Sequence, residues 1–335
     1  MLDERKAQVL RALVDCYIRT GEPVSSRAVL DRTGLGVSSA TIRNDIASLE
    51  GEGFCMQPHT SAGRVPTAAA YRYYVDHLSP RKLRAESLTR IHDFFGTVHH
   101  ELSLLLKQTS EMLADVSNYP ALVVGPGLRG EVLRGVHLVP LGSQSALIII
   151  VSDAGRVSQE LVRFDAPVTP EDLNLAERVL AKHLKGQLVA ELEVMADEVL
   201  TDVSPSVAGV LEAIFVSTQP EGESTQELYL GGTNRMAALW DDLAKVQQIL
   251  ELMSQEAELL GIIAGSPDGT SIRIGAEMDL PAEVDVAMVS TDYEAAEGIS
   301  GRVGVIGPMR MDYRRAISIV EEVSDGLSEQ LGSQP

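Results

Sequence analysis

Apolar residues near the start of the chain recur three and four positions apart. Val9, Leu10, Leu13, Val14, Tyr17 and Ile18 make one stripe that Gly21 and Pro23 terminate, which predicts a helix over roughly residues 3–20. Ser25 can cap a short helix ending near Gly34, and Ser38 can cap the next. In that third helix Ile42, Ile46 and Leu49 share a face, and Ala40, Thr41, Arg43, Asn44 and Ala47 take the other. After Gly53 the period changes: extended stretches at 54–58 and 64–67 flank a small polar loop, His59 to Gly63.

Beyond this the pattern alternates between long helical and short extended blocks. Ser79 to Arg84 (SPRKLR) is a Pro-broken basic hinge, and Leu88, Ile91, Phe95, Val98, Leu102, Leu105, Met112 and Val116 then keep a period near 3.5. Such a stripe can pair with a second chain or lie on its own domain; Gly96 and sparse flanking charges favour the second. Extended runs follow at 121–124, 132–140, 145–151 and 157–163. A helical block then opens on Thr169 as N-cap, with Pro170 first in the helix and Asp172 placed as the acidic partner of a capping box, and runs with breaks to about Thr218. Gln219 to Thr225 is loop-like, and strands are expected again at 226–230, 260–264, 271–275, 284–290 and 302–306. Strands on both sides of a helical block predict one α+β domain carrying an insertion. The chain is thus expected to be an α+β multidomain protein.

Helix, tight turn, helix and hairpin is the order of a winged helix-turn-helix, and the outward face of the third helix suits DNA. Arg can bond guanine in bidentate fashion, Asn can do the same to adenine, and alanine methyls can meet thymine methyls. Arg43 and Asn44 are therefore the candidate base readers, with Ser38, Ser39 and Thr41 at the helix N-terminus. His59, Thr60, Ser61 and Arg64 fall on the hairpin, and Arg72 is a further phosphate candidate. A three-helix unit with a hairpin also serves elsewhere as a docking or dimerising module. Charge favours DNA: residues 1–84 hold 12 Lys and Arg against 9 Asp and Glu, while 85–335 hold 16 against 39. With a net charge of −20 the chain as a whole would repel nucleic acid, so any affinity depends on one local face.

The wording of these segments narrows the reading. SSATIRND at 38–45, QPHTSAGRVPT at 57–67 and YRYYVDHL at 71–78 closely resemble the HrcA family of heat-inducible transcription repressors, as does GRVGVIGPMRMDYR at 301–314. Gly231, Gly232, Thr233 and Asn234 resemble a family turn, and Ile274, Gly275 and Glu277 a second short element. Met278, Met309 and the pair Asn234-Arg235 depart from the family pattern. The resemblance implies a winged-helix domain over 1–78, a hinge and linker helix over 79–120, a GAF-like domain over 121–168 and 226–335, and an inserted dimerising domain over 169–225. It also implies a homodimer on an inverted-repeat operator of the CIRCE type upstream of chaperone operons, relief on heat stress, and a chaperonin, GroEL, that keeps the repressor active.

Other chemistries find less support. Gly125 to Gly130 (GPGLRG) fits a dinucleotide fingerprint formally, but Glu131 to Pro140 has no helical stripe, so the pyrophosphate would lack a helix N-terminus. His92, His99 and His100 are too far apart along one helix to share a metal, and Cys16 and Cys55 lack ligand spacing and read as small core fillers. No enzyme, cofactor or metal is expected. The longest strongly apolar run, Ala146 to Val151, cannot span a bilayer, and a cytoplasmic protein without membrane partners is expected. The alternative is a ligand-sensing winged-helix regulator with a small-molecule pocket in the GAF-like domain, which rests on fold analogy.

Overall fold

The computed structural model describes residues 2–59, 63–78, 82–97, 102–126, 132–152, 157–187, 199–200, 203–217, 227–240, 242–280, 285–296 and 299–332. The chain divides into two compact units: residues 1–123, 229–293 and 302–330 form one, and 124–228, 294–301 and 331–335 the other.

The first unit begins with three capped helices. α1 (Glu4–Thr20) opens on Asp3, whose carboxylate accepts the Lys6 N–H at 2.9 Å, and closes on Gly21, whose left-handed φ of 68° brings its N–H to the Tyr17 carbonyl at 2.8 Å. α2 (Ser26–Thr33) and α3 (Ser39–Gly51) open on Ser25 and Ser38, each hydroxyl accepting a backbone N–H at 3.2 Å. The apolar stripes meet between the helices: Leu10, Leu13 and Val14 of α1, Val29 of α2, and Ile42, Ile46 and Leu49 of α3 are buried. β1 (Cys55–Met56) pairs antiparallel with β2 (Val65–Pro66), and Arg64 exchanges backbone hydrogen bonds of 2.8 Å with Val24 in both directions. α4 (Ala68–Asp76) then packs back on α1.

The long helix expected after the hinge is two helices, α5 (Ala85–Phe95) and α6 (Leu102–Ser117), which pack on one another. α5 ends at Gly96 because glycine stops propagating helix there. Among the described residues of the stripe, Ile91, Leu105 and Val116 are buried within the chain. The Phe95 ring occupies the space that a Cβ at Gly326 would need. Five strands, β3 (Ala121–Val124), β7 (Leu228–Gly231), β8 (Ser271–Ile274), β9 (Ala287–Ala296) and β10 (Ile299–Gly307), form a sheet in the order β7-β3-β10-β9-β8. The C-terminal helix Tyr313–Gly332 buries Ala316, Ile319, Val320, Val323 and Leu327. The strand expected at 260–264 is instead the end of a helix, Glu256–Ala264, in which Leu259, Leu260, Ile262 and Ile263 are all buried. A short run that is apolar on every side has no period to distinguish the two.

The second unit contains β4 (Leu133–Gly142), β5 (Ser145–Ser152) and β6 (Val157–Arg163), an antiparallel meander in sequence order. Its inner row, including Val136, Leu138, Ile148, Ile150 and Val162, shares one core with Leu173 and Leu180 of α7 (Pro170–Leu184) and with Val210, Leu211 and Ile214 of the helix Pro205–Ser217. These strands therefore belong with the helical block. Only β3 of the expected segment 121–168 joins the five-stranded sheet. α7 has the capping box read from its sequence: the Thr169 hydroxyl accepts the Asp172 N–H, and the Asp172 carboxylate accepts the Thr169 N–H, both at 3.2 Å. The other face of the meander leaves Val139, Leu141, Val157 and Leu161 from 41% to 58% exposed.

Candidate nucleic-acid interface

α3 divides its residues as its periodicity requires. With Ile42, Ile46 and Leu49 facing the core, Ala40, Arg43, Asn44 and Ala47 are exposed and Ser39 and Thr41 half-buried. The Arg43 and Asn44 side chains have no hydrogen-bond or ionic partner among the described residues, so their donors are open to an external ligand. Ser38 is committed to the cap, accepting the Thr41 N–H at 3.2 Å and sharing a hydrogen bond with the Thr41 hydroxyl at 3.0 Å. This holds Thr41 in place at the positive end of the helix.

What fixes the helix is a contact that no local pattern announces. The Arg5 guanidinium donates to both carboxylate oxygens of Asp45, at 2.9 and 3.0 Å, and clamps α3 to α1. Asp45 is itself buried, and forty residues separate the partners, so only the fold brings them together. At the other end of α3, Lys6 and Ser48 both donate to Glu52, and these bonds, Lys6 first, hold its carboxyl below the usual range.

The hairpin residues are used differently. His59 is exposed; Thr60 and Ser61 lie outside the described residues. The Arg64 guanidinium reaches Glu50 of α3, with Nε at 3.0 Å and Nη2 at 2.9 Å, so its charge ties the hairpin to the helix. Gly63 allows the same approach, since a Cβ there would collide with the Val24 carbonyl. Cys55 seals the joint: its thiol donates to the Ile46 carbonyl at 3.7 Å, and burial pushes its pKa up to about 11.

Arg72 of α4 is likewise paired. Its guanidinium donates to the Ile272 carbonyl at 2.8 Å, to Glu277 at 3.2 Å and to Asp76 at 3.0 Å. The neighbouring tyrosines pack as anchors. Tyr71 is buried with its ring 6.2 Å from that of Tyr313, and Tyr73 stacks on His77 at 4.2 Å. The Tyr74 hydroxyl donates to Asp15 at 2.5 Å, and burial raises its pKa.

The remaining candidates are structural where they can be described. Gly231 and Gly232 run so close to α6 that a Cβ would strike the Ser110 carbonyl at the first and the Ala114 side chain at the second. Of Gly125 to Gly130, residues 127–130 lie outside the described residues, and the chain is strand β4 from Leu133. His92 bonds Glu322 at 3.0 Å, while His99 and His100 lie outside the described residues. Among the described residues no cluster of His, Cys, Asp and Glu could hold a metal, and no helix is long and apolar enough to cross a membrane. Cys16 and Cys55 are both buried and unbridged.

Comparison with known proteins gives one consistent result. A model of the HrcA protein C-terminal domain matches residues 103–317. A heat-inducible transcription repressor HrcA from Halalkalibacterium halodurans is 33% identical over 341 residues, covering 99% of this chain and 98% of that protein. The protein of the same name from Symbiobacterium thermophilum is 34% identical, covering 98% of each chain, and that from Moorella thermoacetica 36%, again with 98% of each. A crystal structure described only as a hypothetical protein at 2.2 Å resolution superposes with a TM-score of 0.60 at 25% identity, over 99% of both chains.

Proposed function

The chain belongs to the HrcA family of heat-inducible transcription repressors, and from that premise we propose that it represses chaperone operons by binding a CIRCE-type inverted repeat as a homodimer. In this reading residues 1–78 are a winged helix-turn-helix domain, and the five-stranded sheet with its helices is GAF-like. The inserted unit, residues 124–228, dimerises through the exposed apolar face of its meander. A two-fold axis in the protein matches the two half-sites of the repeat. The chaperonin GroEL maintains the active fold, and heat relieves repression by drawing the chaperonin to unfolded clients.

The observation that carries this reading is the state of Arg43 and Asn44: exposed, without a partner among the described residues, and side by side on a helix whose other face is buried. They are assigned to base edges, with Ser39 and Thr41 beside the first phosphates, Ser38 holding the helix start, and His59, Thr60 and Ser61 at the wing. Arg64 and Arg72 are assigned to holding the wing and α4 in place. The test is fluorescence anisotropy of the purified chain on a CIRCE-type duplex and a scrambled duplex at one salt concentration, with and without chaperonin. Preference for the repeat by roughly 10³-fold or more is expected; equal weak binding to both under both conditions overturns it.

One observation favours a second reading, a ligand-sensing regulator. A cleft of about 370 Å³ is lined by Tyr17, Tyr71, Trp240, Lys245 and Arg310 among others, a volume within the range of small-molecule sites. This reading requires a compound that shifts both melting and operator affinity.

A further inference from the structure

Four cations from two distant stretches of sequence converge on a second, smaller cleft. Lys82, Arg84, Arg314 and Arg315 line it, with Asp312 as the acidic residue among them, and its volume is about 100 Å³. Asp312 is turned to its own helix, where its carboxylate accepts the Arg315 N–H at 3.2 Å and its carbonyl accepts the Ala316 N–H at 2.9 Å. The side chains of Lys82 and Arg84 are exposed and have no partner among the described residues. Arg315 donates to the Val116 carbonyl at 2.8 Å. Arg314 lies 5.9 Å from the Tyr74 ring centre, and its buried Nε has no hydrogen-bond partner among the described residues.

This arrangement is unfavourable as it stands. Arg314 and Arg315 occupy the first turn of the C-terminal helix, where the macrodipole opposes positive charge, and that turn holds no acidic residue. α5 also starts at the cleft, with Arg84 as its N-cap, and no side chain caps its free N–H groups. Four cations facing one carboxylate that is already committed to its own helix, two of them with no partner among the described residues, lack a counter-anion.

We propose that this cleft binds a single tetrahedral oxyanion of the phosphate class. Its volume falls well below the roughly 300–1,000 Å³ of sites for drug-sized ligands, which selects a compact ion or one phosphate group over a whole nucleotide. Occupancy would reach the N-terminal helices through defined contacts. Arg314 packs on Tyr74, the Tyr74 hydroxyl bonds Asp15, and Asp15 lies 3.7 Å from Arg32 of α2. The phosphate can come from solution or from a DNA backbone, and the site stands whether or not the operator reading holds.

The test is thermal unfolding of the full chain in sodium phosphate against sodium chloride at matched ionic strength, without DNA. A saturable, phosphate-specific rise in melting temperature of a few degrees is expected, the size that a ligand well above its Kd gives a protein of this length. Arg314→Gln should abolish the rise. Because Arg314 also touches Tyr74, a second variant is needed: Lys82→Gln with Arg84→Gln removes only exposed side chains and should weaken the response at least tenfold in phosphate concentration. Equal shifts from phosphate and chloride, or a phosphate response unchanged in both variants, overturn the proposal. Anisotropy then separates the sources. If the Lys82, Arg84 variant binds operator and scrambled duplex equally less well, and phosphate competes with DNA on the parent chain, the occupant is a DNA phosphate. If DNA binding is unchanged, it is the free ion.

Discussion

The outward face of α3 and the hairpin beside it carry similar polar residues in opposite states. Arg43 and Asn44 are exposed and have no partner among the described residues, whereas Arg64 is bound to Glu50, and Arg72 on the following helix to Ile272, Glu277 and Asp76. If these elements bind DNA as proposed, a cation in them is either a ligand for phosphate or a strut that aims other ligands, and only its partners separate the two. On the proposed reading the contrast places specificity in α3 and geometry in the hairpin and α4.

The most severe way to break the contrast is to remove what both sides share. Ile42 is fully buried between α3 and its neighbours, so Ile42→Ala should cost about 2–5 kcal/mol of stability. Chemical denaturation should show a lower midpoint, and binding to operator and scrambled duplex should fall together because the domain that presents both regions has loosened. A stable variant that lost only operator binding would mean that Ile42 acts outside the core.

Next come the proposed base readers. Arg43→Ala and Asn44→Ala should each cost about 1–3 kcal/mol on the operator, with less loss on a scrambled duplex. Stability should stay within about 0.5 kcal/mol of the parent, since neither side chain has a hydrogen-bond or ionic partner to lose among the described residues. Anisotropy on the two duplexes checks this, and equal weakening on both would move Arg43 from base reading to phosphate.

The joint between the two regions can be loosened by pH. Burial raises the Cys55 thiol from 9.0 to about 11. A group whose folded pKa is raised leaves stability intact below its unfolded pKa, and that stability is lost as pH rises through the folded value. Melting temperature should therefore fall between pH 9 and about 11, and the fall should be smaller in Cys55→Ala measured against its own value at pH 8. Identical alkaline slopes in the two proteins would show that the thiol is not held neutral at this joint.

How much of this could be read from sequence depends on the range of the interaction. The caps at Ser25, Ser38 and Thr169 and the stripes of α1 and α3 are local, and the helices form where those patterns lie. The Arg5–Asp45 clamp and the Arg72–Glu277 pair join residues 40 and 205 positions apart, and no spacing rule reaches that far. Gly231 and Gly232 read as a turn, but the collision with α6 that forbids a side chain belongs to the fold. Membership of a sheet was equally hidden. β3 and β4 are consecutive, yet one joins the five-stranded sheet and the other the meander, because strand order follows which face each run can bury.

The smallest effect sharpens the contrast most. Arg64 and Glu50 are both partly exposed, so the pair contributes only about 0.2–1 kcal/mol, and Arg64→Ala should lower melting by a degree or two. Arg72→Ala should behave alike, its partners being partly exposed as well. The decisive readout is the salt dependence of DNA binding. A side chain that neutralises a phosphate contributes about 0.9 to the slope of log affinity against log salt. A strut contributes nothing to that slope directly, because its charge is neutralised by the protein before DNA arrives. Both variants should therefore keep the parent slope while their affinity drops slightly. A slope flatter by about one in Arg64→Ala would mean that Glu50 releases the guanidinium to DNA, and that the hairpin, too, holds the backbone.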